Sequence, residues 1–95
     1  MKIAVELLSL PNVAKMVGAK TVTLDFSGRT VDELIHEFAA KYGKGVQQFL
    51  FDESGRLDMC LAITINKQEW VRQGQMDRAL RDGDKVTIMM LAAGG

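Results

Sequence analysis

One amphipathic helix, flanked by short segments in which apolar and polar residues alternate, limits the possible folds of this 95-residue chain more than any other feature. The helix is predicted to begin at Thr30, because Thr30 and Glu33 have the spacing of a capping box, in which each side chain bonds the other residue's backbone N–H. Apolar residues then recur at helical spacing at Val31, Leu34, Ile35, Phe38 and Tyr42. Gly43 supplies the left-handed residue with which helices often end. A single apolar stripe of this kind needs a sheet to pack against.

Alternating apolar residues predict the strands of that sheet. The predicted strands cover residues 2–10, 20–26, 59–65, a short segment around Trp70-Val71, and residues 85–91. Pro11-Asn12 is read as the end of the first strand, and a simple loop to the second strand would make the two antiparallel. We predict one short helical turn within residues 44–58, a loop with a helical turn over residues 74–80 and a tight turn at residues 82–84. The expected fold is one α+β domain, a mixed sheet of four to five strands covered on one face by one main helix.

Composition excludes several classes of partner. Twelve basic and twelve acidic residues give a formal net charge of +0, and neither sign forms a block, so no long-range field would attract nucleic acid or an anionic membrane. No apolar run is long enough to span a bilayer, and Glu6 interrupts the apolar start of the chain, unlike the core of a signal peptide. The one cysteine, Cys60, has no second thiol to pair with, which fits a reducing compartment. We expect a cytoplasmic protein that binds neither nucleic acid nor membranes.

The sequence from residue 92 onward is Ala92-Ala93-Gly94-Gly95, a segment almost without side chains. Fully extended, four residues reach about 13–14 Å, and glycine permits close approach of another backbone. We interpret residues 1–91 as the folded domain and residues 92–95 as a flexible tail that can enter a narrow channel of an enzyme. The tail's carboxylate is a poor electrophile, whereas adenylation by ATP would convert it to a mixed anhydride that a nucleophile can attack. The chain itself needs no catalytic side chain for this, and we identify none.

The segment before the tail carries the most specific pattern in the sequence. Residues 80–86 read Leu-Arg-Asp-Gly-Asp-Lys-Val and are followed by an apolar strand and Ala-Gly-Gly, which resembles the end of the MoaD/ThiS family of ubiquitin-like sulfur carriers. That family includes the small subunit of molybdopterin synthase. Residues 63–66, Ile-Thr-Ile-Asn, and the Thr30-capped helix with Phe38 are also similar to the family in placement. The family's hairpin is commonly Asn-Gly, whereas this chain has Asn66-Lys67.

The resemblance implies a ubiquitin-like β-grasp fold and a tail that carries sulfur. Gly95 would be adenylated by a ubiquitin-activating-type adenylyltransferase that uses ATP, and a sulfur nucleophile would then leave a thiocarboxylate. Gly94 would be its unhindered neighbour in the partner's channel. The thiocarboxylate would donate sulfur to a biosynthetic enzyme, with the large subunit of molybdopterin synthase as the leading candidate. The chain would then be a carrier, or the small subunit of a two-protein enzyme, with no bound cofactor of its own.

Other interpretations of the tail stay open at the level of the sequence. The same activated tail would serve a sulfur carrier for thiamine or cysteine biosynthesis, or a protein modifier that forms amides with lysines of its targets. A non-covalent binding module would use the sheet and leave the tail idle. A Gly-Gly end also occurs as a frayed terminus.

A second candidate site lies on the open face of the sheet, the face without the helix. Met89 and Leu91 alternate with the predicted core residues of the last strand and are expected on that face with Leu8, Ala62 and Ala4. An apolar surface there would suit a partner enzyme. The alternative is a last strand that is apolar on both faces, as central strands often are.

Three further side chains are predicted to be structural. Cys60, placed in the third strand, is expected to be buried as a small hydrophobic residue. Trp70 is expected to be partly buried beside the sheet, and the alternative is a contact with a partner. His36 falls off the apolar stripe of the helix and is expected in solvent.

Overall fold

The computed structural model describes residues 1–91, which contain five strands, three α-helices and one turn of 3-10 helix. The strands are β1 (Lys2–Leu8), β2 (Thr21–Asp25), β3 (Leu61–Ile65), β4 (Glu69–Val71) and β5 (Lys85–Met90). The helices are α1 (Pro11–Val17), α2 (Val31–Tyr42) and α3 (Lys44–Leu50), with a turn of 3-10 helix at Gln73–Gln75. The predicted tail residues Ala92, Ala93, Gly94 and Gly95 lie outside the described residues. The domain boundary at residue 91 and the flexibility of the tail therefore stay predictions.

The five strands form one mixed sheet in the order β2-β1-β5-β3-β4. The central strand β5 runs parallel to β1 and antiparallel to β3. The outer strands β2 and β4 each run antiparallel to their neighbours, β1 and β3. The first and last strands of the domain thus lie side by side in the middle of the sheet. The prediction of an α+β, ubiquitin-like β-grasp fold is confirmed.

The main helix, α2, begins as the sequence predicts. The Thr30 hydroxyl accepts a hydrogen bond from the Glu33 N–H, and the Glu33 carboxylate accepts one from the Thr30 N–H, so the capping box is complete. The predicted stripe residues Val31, Leu34, Ile35 and Phe38 are buried. Gly43 ends the helix with a φ of 101° and an extended ψ of −176°, so its φ is positive as predicted while its conformation is not the left-handed helical one.

The sequence-based prediction was wrong about the segment between β1 and β2, where a helix stands in place of a simple loop. Pro11 occupies the first turn of α1, and Gly18, with φ 90°, ends it in the left-handed conformation. Proline is tolerated at a helix start because the first N–H groups have no partner there, so the residue that ends a strand also begins this helix. α3 is likewise longer than the single turn predicted. No helix within residues 1–91 is long and apolar enough to cross a membrane.

One face of the sheet packs against the helices and forms the core. Alternate residues of the three central strands point into it: Ile3, Val5 and Leu7 from β1, Val86 and Ile88 from β5, and Leu61, Ile63 and Ile65 from β3. They meet the stripe of α2 and the buried side chains of α1 and α3, which include Val13, Val46 and Leu50. The opposite side of the same strands is the open face.

The turn at residues 82–84 fastens the start of β5 to its neighbours. The Lys2 N–H donates to Asp82 Oδ1 at 2.6 Å, and the Gly83 N–H donates to the Lys2 carbonyl at 2.8 Å. Asp84 Oδ1 accepts a hydrogen bond from Asn66 Nδ2 at 3.0 Å, and Asn66 Oδ1 accepts one from the Lys85 N–H at 2.9 Å. The Asp-Gly-Asp sequence and the strand-ending asparagine therefore work as one junction that sets the position of β5.

Candidate functional site

The predicted tail leaves the described part of the chain at the end of β5. Leu91 is the last described residue, and its N–H donates to the Cys60 carbonyl at 2.8 Å, which continues the pairing of β5 with β3. Gly94 and Gly95, the residues predicted to carry sulfur, lie outside the described residues, as do Ala92 and Ala93. What the structure defines is the surface at the base of the tail.

The structure brings the four predicted partner-contact residues together on the open face. Met89 pairs with Leu8 on one side and with Ala62 on the other, and residues paired directly across strands project to the same face. Leu91 follows Met89 by two residues and therefore continues on that face. We call Leu8, Met89, Ala62 and Leu91 the apolar row. Ala4 shares the face but pairs with Lys85 at the other end of β5.

Exposure within the apolar row is concentrated at its two leucines. Leu8 is 42% exposed and Leu91 is 44% exposed. Met89 is partly buried between its neighbours, and Ala62 is buried. Two large aliphatic side chains thus stand in solvent on either side of a methionine, at the edge of the domain from which the tail continues. An apolar surface in this position is typical of a protein contact.

A polar cluster lies beside the apolar row, one step earlier along β5. Thr87 pairs with Glu6 of β1 and with Thr64 of β3, so the three side chains form a second row across the open face. Both threonines are buried, although no helix covers this side. We call Glu6, Thr64 and Thr87, together with Lys67 and Lys85, the polar centre.

Glu6 is held by three groups of the polar centre. Thr87 Oγ1 donates to Glu6 Oε1 at 2.9 Å. Lys67 Nζ lies 3.4 Å from Glu6 Oε1 and Lys85 Nζ lies 3.6 Å from Glu6 Oε2. The hydrogen bond from Thr87 and the charges of the two lysines lower the pKa of Glu6, while partial burial acts in the opposite direction. Glu6 is therefore ionised at neutral pH, and two ammonium groups share its one negative charge.

Lys67 reaches Glu6 across the sheet. It lies in the turn after β3, and β5 separates β3 from β1, so its side chain crosses β5 to reach the carboxylate. This path helps to explain the burial of Thr87 beneath it. Thr64 Oγ1 is also buried and has no hydrogen-bond partner among residues 1–91.

Sequence reasoning missed the polar centre. Glu6 was interpreted only as a residue that interrupts an apolar start. A carboxylate on the open face of a central strand is partly covered by the side chains of both neighbouring strands, and it therefore indicates a charged or hydrogen-bonding partner nearby. Its partners Lys67 and Lys85 are distant in sequence. No local pattern links them, because their proximity follows from the order β1-β5-β3.

Two of the side chains predicted to be structural lie in solvent instead. Trp70 is 57% exposed, because β4 is a three-residue edge strand and pairing with Thr64 puts Trp70 on the open face. Cys60 is exposed, because β3 begins only at Leu61 and Cys60 belongs to the preceding turn, where its N–H donates to Asp58 Oδ1 at 2.8 Å. His36 is exposed as predicted, and its ring stacks on Phe51 with centroids 4.4 Å apart.

Comparison with known proteins finds similarity in sequence to one family and to a sulfur carrier protein. The family model described as the ThiS family matches residues 12–95. The sulfur carrier protein CysO of Mycobacterium tuberculosis is 30% identical over 90 residues, which cover 93% of this chain and 96% of CysO.

Solved structures extend this similarity to the fold. A crystal structure of SAMP1 from Haloferax volcanii superposes with a TM-score of 0.80, covers 100% of both chains and is 20% identical, which is a likeness of fold alone. A chain in the crystal structure of the Amycolatopsis orientalis BexX/CysO complex gives a TM-score of 0.73 at 28% identity and covers 98% of this chain and 99% of that chain.

Proposed function

The chain belongs to the ThiS family, and from this premise we propose that it is a sulfur carrier whose Gly95 carboxylate is converted to a thiocarboxylate. The observation that carries the proposal is the family match itself, because it runs through residue 95 and so includes Gly94 and Gly95. The identity with a sulfur carrier protein over nearly the whole of both chains supports it.

The proposed chemistry takes place on the tail and needs no catalytic side chain of this chain. Adenylation by ATP joins the carboxylate of Gly95 to AMP and releases pyrophosphate, which replaces a charged, unreactive group by a mixed anhydride. A sulfur nucleophile supplied by a partner attacks the carbonyl carbon, and AMP leaves with the electron pair of the broken bond. When the nucleophile is sulfide, loss of its proton leaves the thiocarboxylate directly. When it is a persulfide of a donor protein, a second thiol attacks the donor's sulfur, forms a disulfide with it and releases the thiocarboxylate. The thiocarboxylate is then free to act as the nucleophile in the recipient enzyme. The chain is thus a co-substrate rather than an enzyme.

The apolar row is the surface that we assign to the partner enzymes. It ends at Leu91, and the four residues that follow reach about 13–14 Å when extended. An enzyme that covers the apolar row could therefore receive Gly95 in an active site at that distance. Association of this kind removes the two exposed leucine side chains, Leu8 and Leu91, from water.

The recipient of the sulfur is the finer part of the proposal. The molybdopterin synthase large subunit, the first choice from sequence, stays a prediction. Identity with CysO over almost the entire chain makes cysteine biosynthesis the recipient pathway that we propose in preference. We expect the carrier to work in the cytoplasm with a ubiquitin-activating-type adenylyltransferase, since its activation consumes ATP.

Two tail variants test the proposal. Deletion of Gly94 and Gly95 should abolish ATP-dependent thiocarboxylation, and so should one serine appended after Gly95, because it keeps both glycines but moves the carboxylate. Thermal unfolding of both variants should match that of the unmodified chain, since residues 1–91 hold all the core contacts described above. Sulfur loading of the deletion variant at the normal rate would contradict the proposal.

A further inference from the structure

Within the described residues 1–91, the ion pairs of the polar centre leave one positive charge on the open face without a paired carboxylate. Lys67 and Lys85 share the single carboxylate of Glu6, so the cluster has a net charge of +1. Both separations, 3.4 Å and 3.6 Å, are longer than a direct N–H to oxygen hydrogen bond. The lysine side chains are 57% and 39% exposed, whereas the Glu6 side chain beneath them is 17% exposed. The ammonium groups are therefore available to another molecule, and the carboxylate is largely covered.

The backbone conformation of Lys67 indicates that its side chain has a role other than stabilising the fold. Asn66 and Lys67 have φ values of 54° and 55°, and the Gln68 N–H donates to the Ile65 carbonyl to close the turn. Positive φ at both central residues favours glycine at the second of them. The two hydrogen bonds of the Asn66 side chain across the junction offset the cost of its positive φ. The Lys67 side chain, which is 57% exposed, makes one ion pair within residues 1–91, at 3.4 Å from Glu6, and an ion pair of an exposed lysine at this separation stabilises a fold little.

Charge and position select the kind of partner that fits this face. The polar centre lies directly beside the apolar row, because Glu6 and Leu8, or Thr87 and Met89, are neighbours on one face of the same strand. A protein that covers the apolar row thus meets the two lysines. A second copy of this chain would bring more lysines and a carboxylate that is already shared by two of them, so self-association is disfavoured.

We propose, on the basis of the carrier function above, that the activating adenylyltransferase, when it covers the apolar row, places a carboxylate against Lys67 and Lys85. Glu6 stands in for that carboxylate while the carrier is free. It holds both ammonium groups over the sheet and releases them to the partner's acidic side chain. Glu6 thus competes with the partner's carboxylate for the two lysines.

Binding of the full chain to the purified adenylyltransferase of the same organism, without ATP, tests the docking by biolayer interferometry. The double variant Lys67→Gln/Lys85→Gln should raise Kd by about tenfold, since it removes both charges that meet the partner. Lys44→Gln, at the start of α3 on the helical side, is the matched control and should leave Kd unchanged. Raising the salt from about 0.05 M to about 0.5 M should weaken binding of the unmodified chain more than that of the double variant.

Glu6→Gln gives a result of opposite sign. It keeps an acceptor for Thr87 but frees both lysines, so Kd should fall. A merely structural role of the ion pairs predicts weaker or unchanged binding for this variant, and that result would contradict competition by Glu6.

Lys67→Gly separates the docking role from the fold. Glycine suits the positive φ, so the melting temperature should stay equal or rise by about 2–4 °C, while Kd should rise because one of the two ammonium groups that meet the partner is lost. A lower melting temperature with unchanged Kd would overturn the assignment of Lys67.

Failure of the docking proposal and failure of the carrier proposal give different results. Charge-dependent binding without any sulfur on Gly95 would uphold the docking and reject the carrier function. Sulfur loading with no binding to the adenylyltransferase, or with binding that ignores the lysine substitutions, would overturn the docking alone.

Discussion

Thr87 and Thr64 are paired neighbours on the open face, but their hydroxyl groups differ in hydrogen bonding. Thr87 Oγ1 donates to Glu6, whereas Thr64 Oγ1 is buried without a partner among the described residues. Removing a satisfied donor leaves a covered carboxylate less well bonded, while removing an unpaired hydroxyl relieves a cost. The two threonines therefore make a matched pair of the same residue type in the same sheet.

Substitution of each threonine by valine tests this difference in hydrogen bonding. Thr87→Val should lower the free energy of unfolding by about 1–2 kcal/mol, whereas Thr64→Val should leave it unchanged or raise it. Urea denaturation of both variants measures the difference. Equal losses in the two variants would show that the hydrogen bond from Thr87 to Glu6 contributes nothing specific.

Glu6 also predicts how stability depends on pH. Its pKa is lowered below the ordinary value of 4.5, first by the hydrogen bond from Thr87 and then by Lys67. A carboxyl group with a lowered pKa in the folded state stabilises the fold above its unfolded pKa, and this contribution disappears as pH falls through the folded value. The stability difference between the unmodified chain and Glu6→Gln should thus be present at pH 7 and should shrink below about pH 4.5. A difference that stays constant from pH 7 to the lowest pH at which the chain folds would contradict this view of Glu6.

The elements differ in how much of them the sequence predicts. α2 was correct from its capping box to Tyr42, because both the cap and the apolar stripe are local signals. α1 was missed because Pro11 can either end a strand or begin a helix. Its apolar residues do recur at helical spacing, at Leu10, Val13, Ala14 and Val17, and all four lie in or against the core, but a seven-residue helix gives only a short periodic signal. β3 was placed two residues too early, since the alternation continues into Met59-Cys60 while the Asp58 side chain already holds those residues in a turn.

The junction between Asn66 and the turn at residues 82–84 is an element-scale feature that the sequence shows only as two separate motifs. Asn66→Ala removes both side-chain hydrogen bonds, to Asp84 and from the Lys85 N–H. It also leaves alanine at a φ of 54°, a backbone conformation that the Asn66 side chain stabilises through these hydrogen bonds. Unfolding free energy should fall by about 1–3 kcal/mol.

Asn66→Gly distinguishes the two causes, because glycine tolerates the positive φ but makes neither hydrogen bond. It should recover only part of the loss in a urea titration. Full recovery would mean that the hydrogen bonds to the 82–84 turn do not position β5.

At the scale of the whole molecule, the order of strands creates the candidate site. The sequence predicted the apolar row by alternation within β5, and it predicted the fold class from one helix and five strands. It did not predict the polar centre, because Glu6, Lys67 and Lys85 meet only when β5 lies between β1 and β3. The long-range contacts of the polar centre depend on the strand order. The prediction that Gly94 and Gly95 carry sulfur depends instead on the resemblance to the family.

The most direct test of the central claim is the intact mass of the chain after incubation with ATP, its activating adenylyltransferase and a sulfide source. Replacement of one carboxylate oxygen by sulfur adds about 16 Da through the covalent activation of the tail, and fragmentation should locate this gain on Gly95. That result is the one a sulfur carrier requires. An unchanged mass, obtained with an enzyme preparation that loads another carrier in parallel, would contradict the account and leave the open face as a binding surface without an active tail.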